Sequence, residues 1–231
     1  MIRKAVDEYE MIAAGDRIAV GVSGGKDSVA LLAGLCKLRR FYPKPFDLVA
    51  VTVDPCFDNR QTDYSPIQTL CDQHDIPYVI RRSELGTIIF EERQESNPCS
   101  LCARMRRGML HDMARETHCN KIALGHNYDD AVETFLMNLF NEGRIGCFQP
   151  VTWLSRKELT MIRPLIFAPE RTVRNIVARN SLPIVKSKCP VDGKTNREEM
   201  KQWIEQMEKS RFPDLGKLVF GAIRRGHVDG W

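Results

Sequence analysis

Between residues 17 and 166 the chain alternates short β-branched runs with longer stretches whose apolar positions recur at helical spacing, and this alternation constrains the fold more than any other feature. RIAVGV (17–22), DLVAVTVD (47–54), PYVIRR (77–82), KIALGH (121–126) and LTMIRPLI (159–166) read as strands. Helices are expected over 29–40, 65–74, about 100–117, 129–140, 168–180 and 196–210. GRIGCFQPVTWL reads as a loop or short extended segment, and the chain ends in a Gly-rich basic tail. The pattern predicts a doubly wound, mostly parallel five-stranded α/β sheet with a short helical C-terminal extension. Its ligand should sit at the carboxyl ends of the strands.

At 231 residues the chain has room for one generous domain plus an appendage, read as 1–185 and 186–231. Its apolar fraction of 43% and charged fraction of 28% exclude a disordered or fibrous chain. No run approaches the 18 or so apolar residues of a membrane span, and the N-terminus is too charged for a signal peptide, so a cytoplasmic protein is expected. Eight cysteines in this setting should be reduced and free to act as ligands or nucleophiles. From residue 160 onward there are 14 Lys and Arg against 8 Asp and Glu, a basic excess that suits either a polyanion or a solvated surface.

Ser23-Gly24-Gly25-Lys26-Asp27-Ser28 falls between the first strand and the first helix. Glycines there let the backbone approach a ligand, while the free N–H groups and positive end of the helix attract phosphate. Ser23 and Ser28 add hydroxyls and Lys26 a point charge. A Walker loop would need four residues between its glycines and Ser or Thr after the Lys, whereas here Asp27 follows Lys26. The segment instead resembles the SGGxDS loop of the ATP pyrophosphatase superfamily. That resemblance implies an adenine nucleotide alpha hydrolase-like fold and adenylation, in which a substrate oxygen attacks the α-phosphorus of ATP and pyrophosphate leaves. Mg2+ would offset the charge on the leaving group.

Gly125-His126-Asn127-Tyr128-Asp129-Asp130 and the following Glu133 and Thr134 come on the same rim of the sheet and resemble the superfamily's GHxxDDxxET segment. Gly125 and His126 are expected at the nucleotide, and Asp129 is the candidate magnesium or substrate-orienting carboxylate. Asp130 and Glu133 read equally as helix N-terminal charges. Asp54, ending the second strand, is placed for ribose or adenine, or else as a turn residue before Pro55.

Cys99-Ser100-Leu101-Cys102 opens a basic helix with a C-x2-C pair, which can converge on one metal or cluster. No second pair follows, so a closed four-cysteine zinc site is disfavoured, and Cys36, Cys71, Cys119 and Cys147 read as small core residues. SGGKDS, CSLCARMRRGML, ALGHNYDDAVET and IRPL, in this order, are similar to the blocks of the tRNA 2-thiocytidine synthetase family. The resemblance covers roughly residues 17–192.

It implies ATP-dependent thiolation of a tRNA pyrimidine, with a 4Fe-4S cluster held by Cys99, Cys102 and Cys189. Where the family carries a second C-x2-C, this chain has Cys189-Pro190-Val191-Asp192, so sulfide, water or Asp192 would be the fourth ligand. A persulfide on Cys102 or Cys189 is the iron-free alternative. Arg106 matches a basic residue that faces the phosphates in related enzymes, and with Lys26 and Asp129 it completes the expected catalytic set. Arg81, Arg82, Arg104, Arg107, Arg224 and Arg225 could meet tRNA phosphates or simply be solvated. A sulfur donor is required, and a homodimer would enlarge the RNA surface. A lysidine- or amide-forming ligase, a thiolase acting on a non-RNA small molecule and a nucleotide-sensing module are the competing expectations.

Overall fold

The computed structural model describes residues 1–93, 98–191, 193 and 195–231. Its sheet is built from β1 (Asp16–Gly21), β2 (Phe46–Asp54), β3 (Tyr78–Arg82), β4 (Lys121–Ala123), β5 (Val151–Leu154) and β6 (Leu159–Ile162), in the order β3-β2-β1-β4-β6-β5. All neighbours are parallel except β5, which pairs antiparallel with β6 through Trp153↔Thr160 and Leu154↔Leu159. The sheet therefore has six strands rather than five. The segment expected as loop or short extended chain supplies the extra one, a hairpin partner for β6 at the sheet edge.

Nine helices accompany the sheet among the described residues: α1 (Ile2–Glu8), α2 (Lys26–Arg39), α3 (Ser65–Asp72), α4 (Leu85–Thr87), α5 (Pro98–Glu116), α6 (Tyr128–Glu142), α7 (Glu170–Arg179), α8 (Asn196–Ser210) and α9 (Leu215–Arg225). No described helix is long and apolar enough to cross a membrane. Alternate residues of the central strands face two different cores. Ile18, Val20, Leu48 and Ala50 pack with α2, α3, α6 and α7, while Ala19, Val49, Val51 and Val53 pack beneath α5. Burial on both faces explains why β2 reads as a continuous apolar run. Leu31, Leu32 and Leu35 of α2 are fully buried, each worth about 1.5–3 kcal/mol of apolar transfer.

The chain starts at β1, winds outward through β2 and β3, and returns to place β4 on the other side of β1. Strand order thus reverses between β1 and β4, which opens a crevice at their carboxyl ends. The phosphate loop leaves β1 there, and the Gly125-His126 segment leaves β4 beside it.

The tail is more ordered than its glycines suggest. The segment expected as a Gly-rich end forms α9, whose Phe220 and Ile223 enter the main core. The Phe220 ring lies 4.2 Å from that of Tyr128 at the start of α6. Beyond α9, Trp231 donates from Nε1 to the Phe148 carbonyl at 2.6 Å, and Asp229 Oδ2 accepts from the Cys147 N–H at 2.7 Å.

Candidate active site

The phosphate loop is shaped by its own serines. Ser28 Oγ accepts from the Ser23 N–H at 3.1 Å and donates to the Gly25 carbonyl at 2.8 Å, while the two hydroxyls lie 3.2 Å apart. Gly24 has φ +89, and a Cβ there would fall 2.8 Å from Cβ of Val185. The Val185 N–H also donates to the Gly24 carbonyl at 3.0 Å, so the strandless segment 185–188 is laid across the loop. Gly125 is pressed somewhat less closely, since its Cβ would meet Asp27 C and Ser28 N at 3.1 Å. At Gly24 the absent side chain permits an approach that a Cβ would block, and at Gly125 a Cβ would push against neighbouring backbone.

Lys26 and Asp27 are turned largely to structure. Asp27 accepts from Asn127 Nδ2 through Oδ1 at 2.9 Å and from Lys26 Nζ through Oδ2 at 2.9 Å, tying α2 to α6. Lys26 also reaches Glu170 Oε1 at 2.9 Å, and Lys201 of α8 meets Glu170 Oε2 at 2.7 Å. Burial of Glu170 would raise its pKa, but hydrogen bonds from Lys201 and Lys26 outweigh it and hold the carboxyl at about 2. Asp129 joins this hub rather than the phosphate loop. Its Oδ2 accepts the Glu170 N–H at 2.6 Å, capping α7, and burial pushes its pKa up. It shares a cavity with Glu133, Glu170 and Lys201, whereas the cavity at the phosphate loop is walled by other residues.

Asn127 and Asp130 form a reciprocal capping box at the start of α6. Arg197 of α8 then clamps that helix, contacting Asp130 at 3.1 Å, Glu133 at 3.2 Å and the Thr134 hydroxyl at 3.1 Å. Burial raises Glu133 to about 7, with Arg197 opposing the shift and Asp130 adding to it. Asp54 is fully buried and organises its own turn, accepting from the Cys56 N–H, the Thr62 N–H and the Thr62 hydroxyl at 3.2, 2.9 and 3.2 Å. Cys56 belongs to no motif and sits half-buried in that turn at φ 48.

A cavity of about 230 Å³ opens between β1 and β4, lined by Ser23, Ser28, Arg106, Gly125, His126 and apolar residues such as Val53 and Leu124. Burial, reinforced by Arg163, Arg197 and Arg107, pushes the His126 pKa down to about 3, so the imidazole is neutral. Its Nδ1 is buried with no hydrogen-bond partner among the described residues, and its ring packs 5.1 Å from that of Phe148. Behind it, Arg163 of the IRPL run is 8% exposed and lies over the same Phe148 ring at 5.1 Å.

On the other side of Ser23 and Arg106 a second cavity of about 190 Å³ is lined by Phe57, Thr62, Tyr64, Lys186 and Lys188. Cys189 follows Lys188, and Cys102 lies one helical turn before Arg106. Cys99 is exposed, and Cys102 and Cys189 are half-buried; none is in a disulfide. Burial raises the Cys102 thiol, Arg106 draws it back by charge and hydrogen bond, and the neighbouring Cys189 and Cys99 push it up. The three cysteines are thus electrostatic neighbours beside the phosphate loop. Among the described residues no three His, Cys, Asp or Glu side chains close around a single metal ion. Three free thiols that feel one another's charge do match the all-sulfur donor set of an iron-sulfur cluster, which spreads its ligands more widely than one ion. Asp192, the remaining candidate ligand, lies outside the described residues. Cys36, Cys71, Cys119 and Cys147 are buried, as core cysteines should be.

The sequence motifs did not point to Arg197, Glu170, Lys201 or Tyr64. The first three stand on α7 and α8, and only the folded packing carries them to the rim; a basic residue in the first turn of α8 was their faintest signal.

Comparison with known proteins agrees with this geometry. Residues 2–207 match the family model described as a PP-loop domain. A tRNA-cytidine(32) 2-sulfurtransferase of Syntrophotalea carbinolica is 39% identical over 223 residues, covering 95% of this chain and 85% of that protein. One of the same name from Citrifermentans bemidjiense is 36% identical over 229 residues, covering 98% of this chain and 89% of that protein. Among solved structures, the U34-tRNA thiolase NcsA of Methanococcus maripaludis with its 4Fe-4S cluster superposes with TM-score 0.78 at 27% identity, covering 97% of this chain and 76% of that one. The order of the motifs, the crevice they share and these relatives together place the chain in the PP-loop family, within its tRNA 2-thiocytidine synthetase branch.

Proposed function

We propose that this protein is an ATP-dependent tRNA sulfurtransferase that replaces the 2-oxygen of a cytidine with sulfur. The observation that carries the reading is the position of Arg106, which walls both the nucleotide cavity and the crevice beside it and whose charge lowers the Cys102 thiol against its burial. One guanidinium therefore stands between the place where ATP is cleaved and the thiols. The relatives named as tRNA-cytidine 2-sulfurtransferases support cytidine as the target.

In this reading the loop N–H groups, Ser23 and Ser28 hold the polyphosphate of ATP, with Mg2+ carried on its phosphates. The cytidine carbonyl oxygen attacks the α-phosphorus, the bond to pyrophosphate breaks, and the carbon is left bearing an AMP ester. Hydrosulfide then supplies an electron pair to that carbon; the C–O bond breaks with its own pair to AMP, and the sulfur loses its proton. No change of oxidation state is needed. Cys99, Cys102 and Cys189 would hold the 4Fe-4S cluster, which would supply Lewis-acid chemistry toward sulfide there. Arg106 steadies the departing negative charge, and neutral His126 offers hydrogen bonding without adding to the cationic field. We place the reaction in the cytoplasm, in keeping with the expectation from the sequence.

The test is anaerobic purification with iron and sulfide analysis, followed by assay of tRNA with ATP, Mg2+ and hydrosulfide. Bound iron, AMP and pyrophosphate release and 2-thiocytidine in the digested tRNA are expected. An iron-free preparation with full activity, or a Cys99→Ser variant that keeps it, would remove the reading in favour of an amine-using ligase on the same core.

A further inference from the structure

The crevice beside the phosphate loop has no assigned occupant, and its walls describe one. At about 190 Å³ it falls below the roughly 300 Å³ at which cavities begin to take drug-sized ligands, so it suits a single-ring base. Phe57 and Tyr64, 8% and 6% exposed, line the cavity, with Phe57 backed by Phe90 at 5.8 Å between ring centroids. Tyr64 also lies against the phosphate loop, 3.5 Å from where a Gly24 Cβ would stand. Lys186 and Lys188 are exposed on the remaining wall, and Lys188 Nζ donates to the Gln61 carbonyl at 3.0 Å, which joins the two sides of the crevice.

Position is more telling than shape. The wall is shared with the phosphate loop at Ser23 and Gly25, while its far side runs directly into Cys189 and, through Arg106, toward Cys102. A carbon that must first bear AMP and then accept sulfur has to lie between those two groups. ATP already has the apolar cavity between β1 and β4, whose walls of Val22, Val53, Leu110 and Leu124 suit a purine.

We infer that the crevice walled by Phe57, Tyr64, Arg106 and Lys186–Lys188 is the acceptor site, which takes the everted pyrimidine by stacking and its flanking phosphates by the lysines. The inference rests on the tRNA-thiolating reading and deepens it. Recognition of an unstacked base on aromatic side chains is the usual route to single-stranded RNA. The lysine contacts would make binding salt-dependent.

Two measurements test it. Lys186→Ala, at an exposed position, should raise KM for tRNA about tenfold and leave kcat and ATP affinity within about twofold, since one phosphate contact is lost and the nucleotide site is untouched. Ultraviolet crosslinking of tRNA to the wild-type protein, mapped by mass spectrometry, should mark Tyr64 or Phe57. An unchanged tRNA KM, or a matching loss of ATP affinity, would overturn the assignment, the latter giving the crevice to the ATP polyphosphate. A tRNA that is thiolated yet crosslinks elsewhere defeats the acceptor site alone. A tRNA that is neither bound nor thiolated defeats the functional reading as well.

Discussion

The two walls of the crevice are built by different means. On the nucleotide side, Ser23, Ser28, Asp27, Asn127 and Lys26 engage one another through short hydrogen bonds, and two glycines are pressed against neighbouring backbone or side chain. On the thiol side, Cys99 is exposed, and Cys189 sits where the described residues form no helix or strand, its N–H donating to Ser187 Oγ at 3.1 Å. One wall is knit by hydrogen bonds within a single loop and the helices that flank it, and the other gathers cysteines from α5 and from the segment before α8. The phosphate loop is thus shaped locally, while the cysteines meet only through the fold.

Cutting the thiol side should test that separation most severely. Cys102→Ser is expected to abolish 2-thiocytidine formation, a fall of at least about a thousandfold if the residue is an essential ligand, while ATP binding by calorimetry stays within about twofold. If ATP affinity collapses too, the two walls are not independent. The converse change is Gly24→Ala, which imposes a positive φ on a residue with a Cβ and forces that carbon against Val185. It should cost about 1–3 kcal/mol in urea unfolding and weaken ATP binding, because segment 185–188 must shift. Retention of wild-type stability and ATP affinity would contradict the tight approach.

Arg197→Ala should act more mildly. The guanidinium is 42% exposed, so its loss should cost only about 1–2 kcal/mol, between the surface and buried limits for an ion pair. Smallest is a pH effect. Folded Glu133 keeps its proton up to about pH 7, above its ordinary carboxylate range. Its contribution to stability is full below that ordinary range and is lost as pH rises through about 7. Glu170 has the opposite sign: held at about 2, it contributes above the ordinary range and loses that contribution as pH falls through about 2. Glu133→Gln should therefore flatten the decline in urea midpoint between about pH 5 and 7. An unaltered profile would mean that another group governs it.

Much of this was legible before folding. The phosphate loop, the C-x2-C pair and the GHNYDD run are local, because each uses neighbouring residues on one turn or helix face. Asp129 needed the fold for its surroundings: its motif marks the residue, and only the packing shows its carboxylate accepting the Glu170 N–H at the start of α7. The six strands and α9 were partly hidden for a related reason. Val151–Leu154 is a short edge strand that gains its identity from β6, and Gly216 and Gly221 dilute a helix whose stability comes from seating Phe220 and Ile223 on the core.

From the sequence alone came the class of fold and the glycine loop after the first strand, since periodicity and short motifs encode backbone path and local chemistry, while the grouping of Cys189 with Cys99 and Cys102 came from the family resemblance. The tertiary structure decided how the cations are partnered. Lys26 is drawn to Glu170 and Arg197 to Glu133, while Arg106 lines both cavities beside the phosphate loop. Charge pairing across helices far apart in the chain depends on distances in space, and no spacing along the sequence records them.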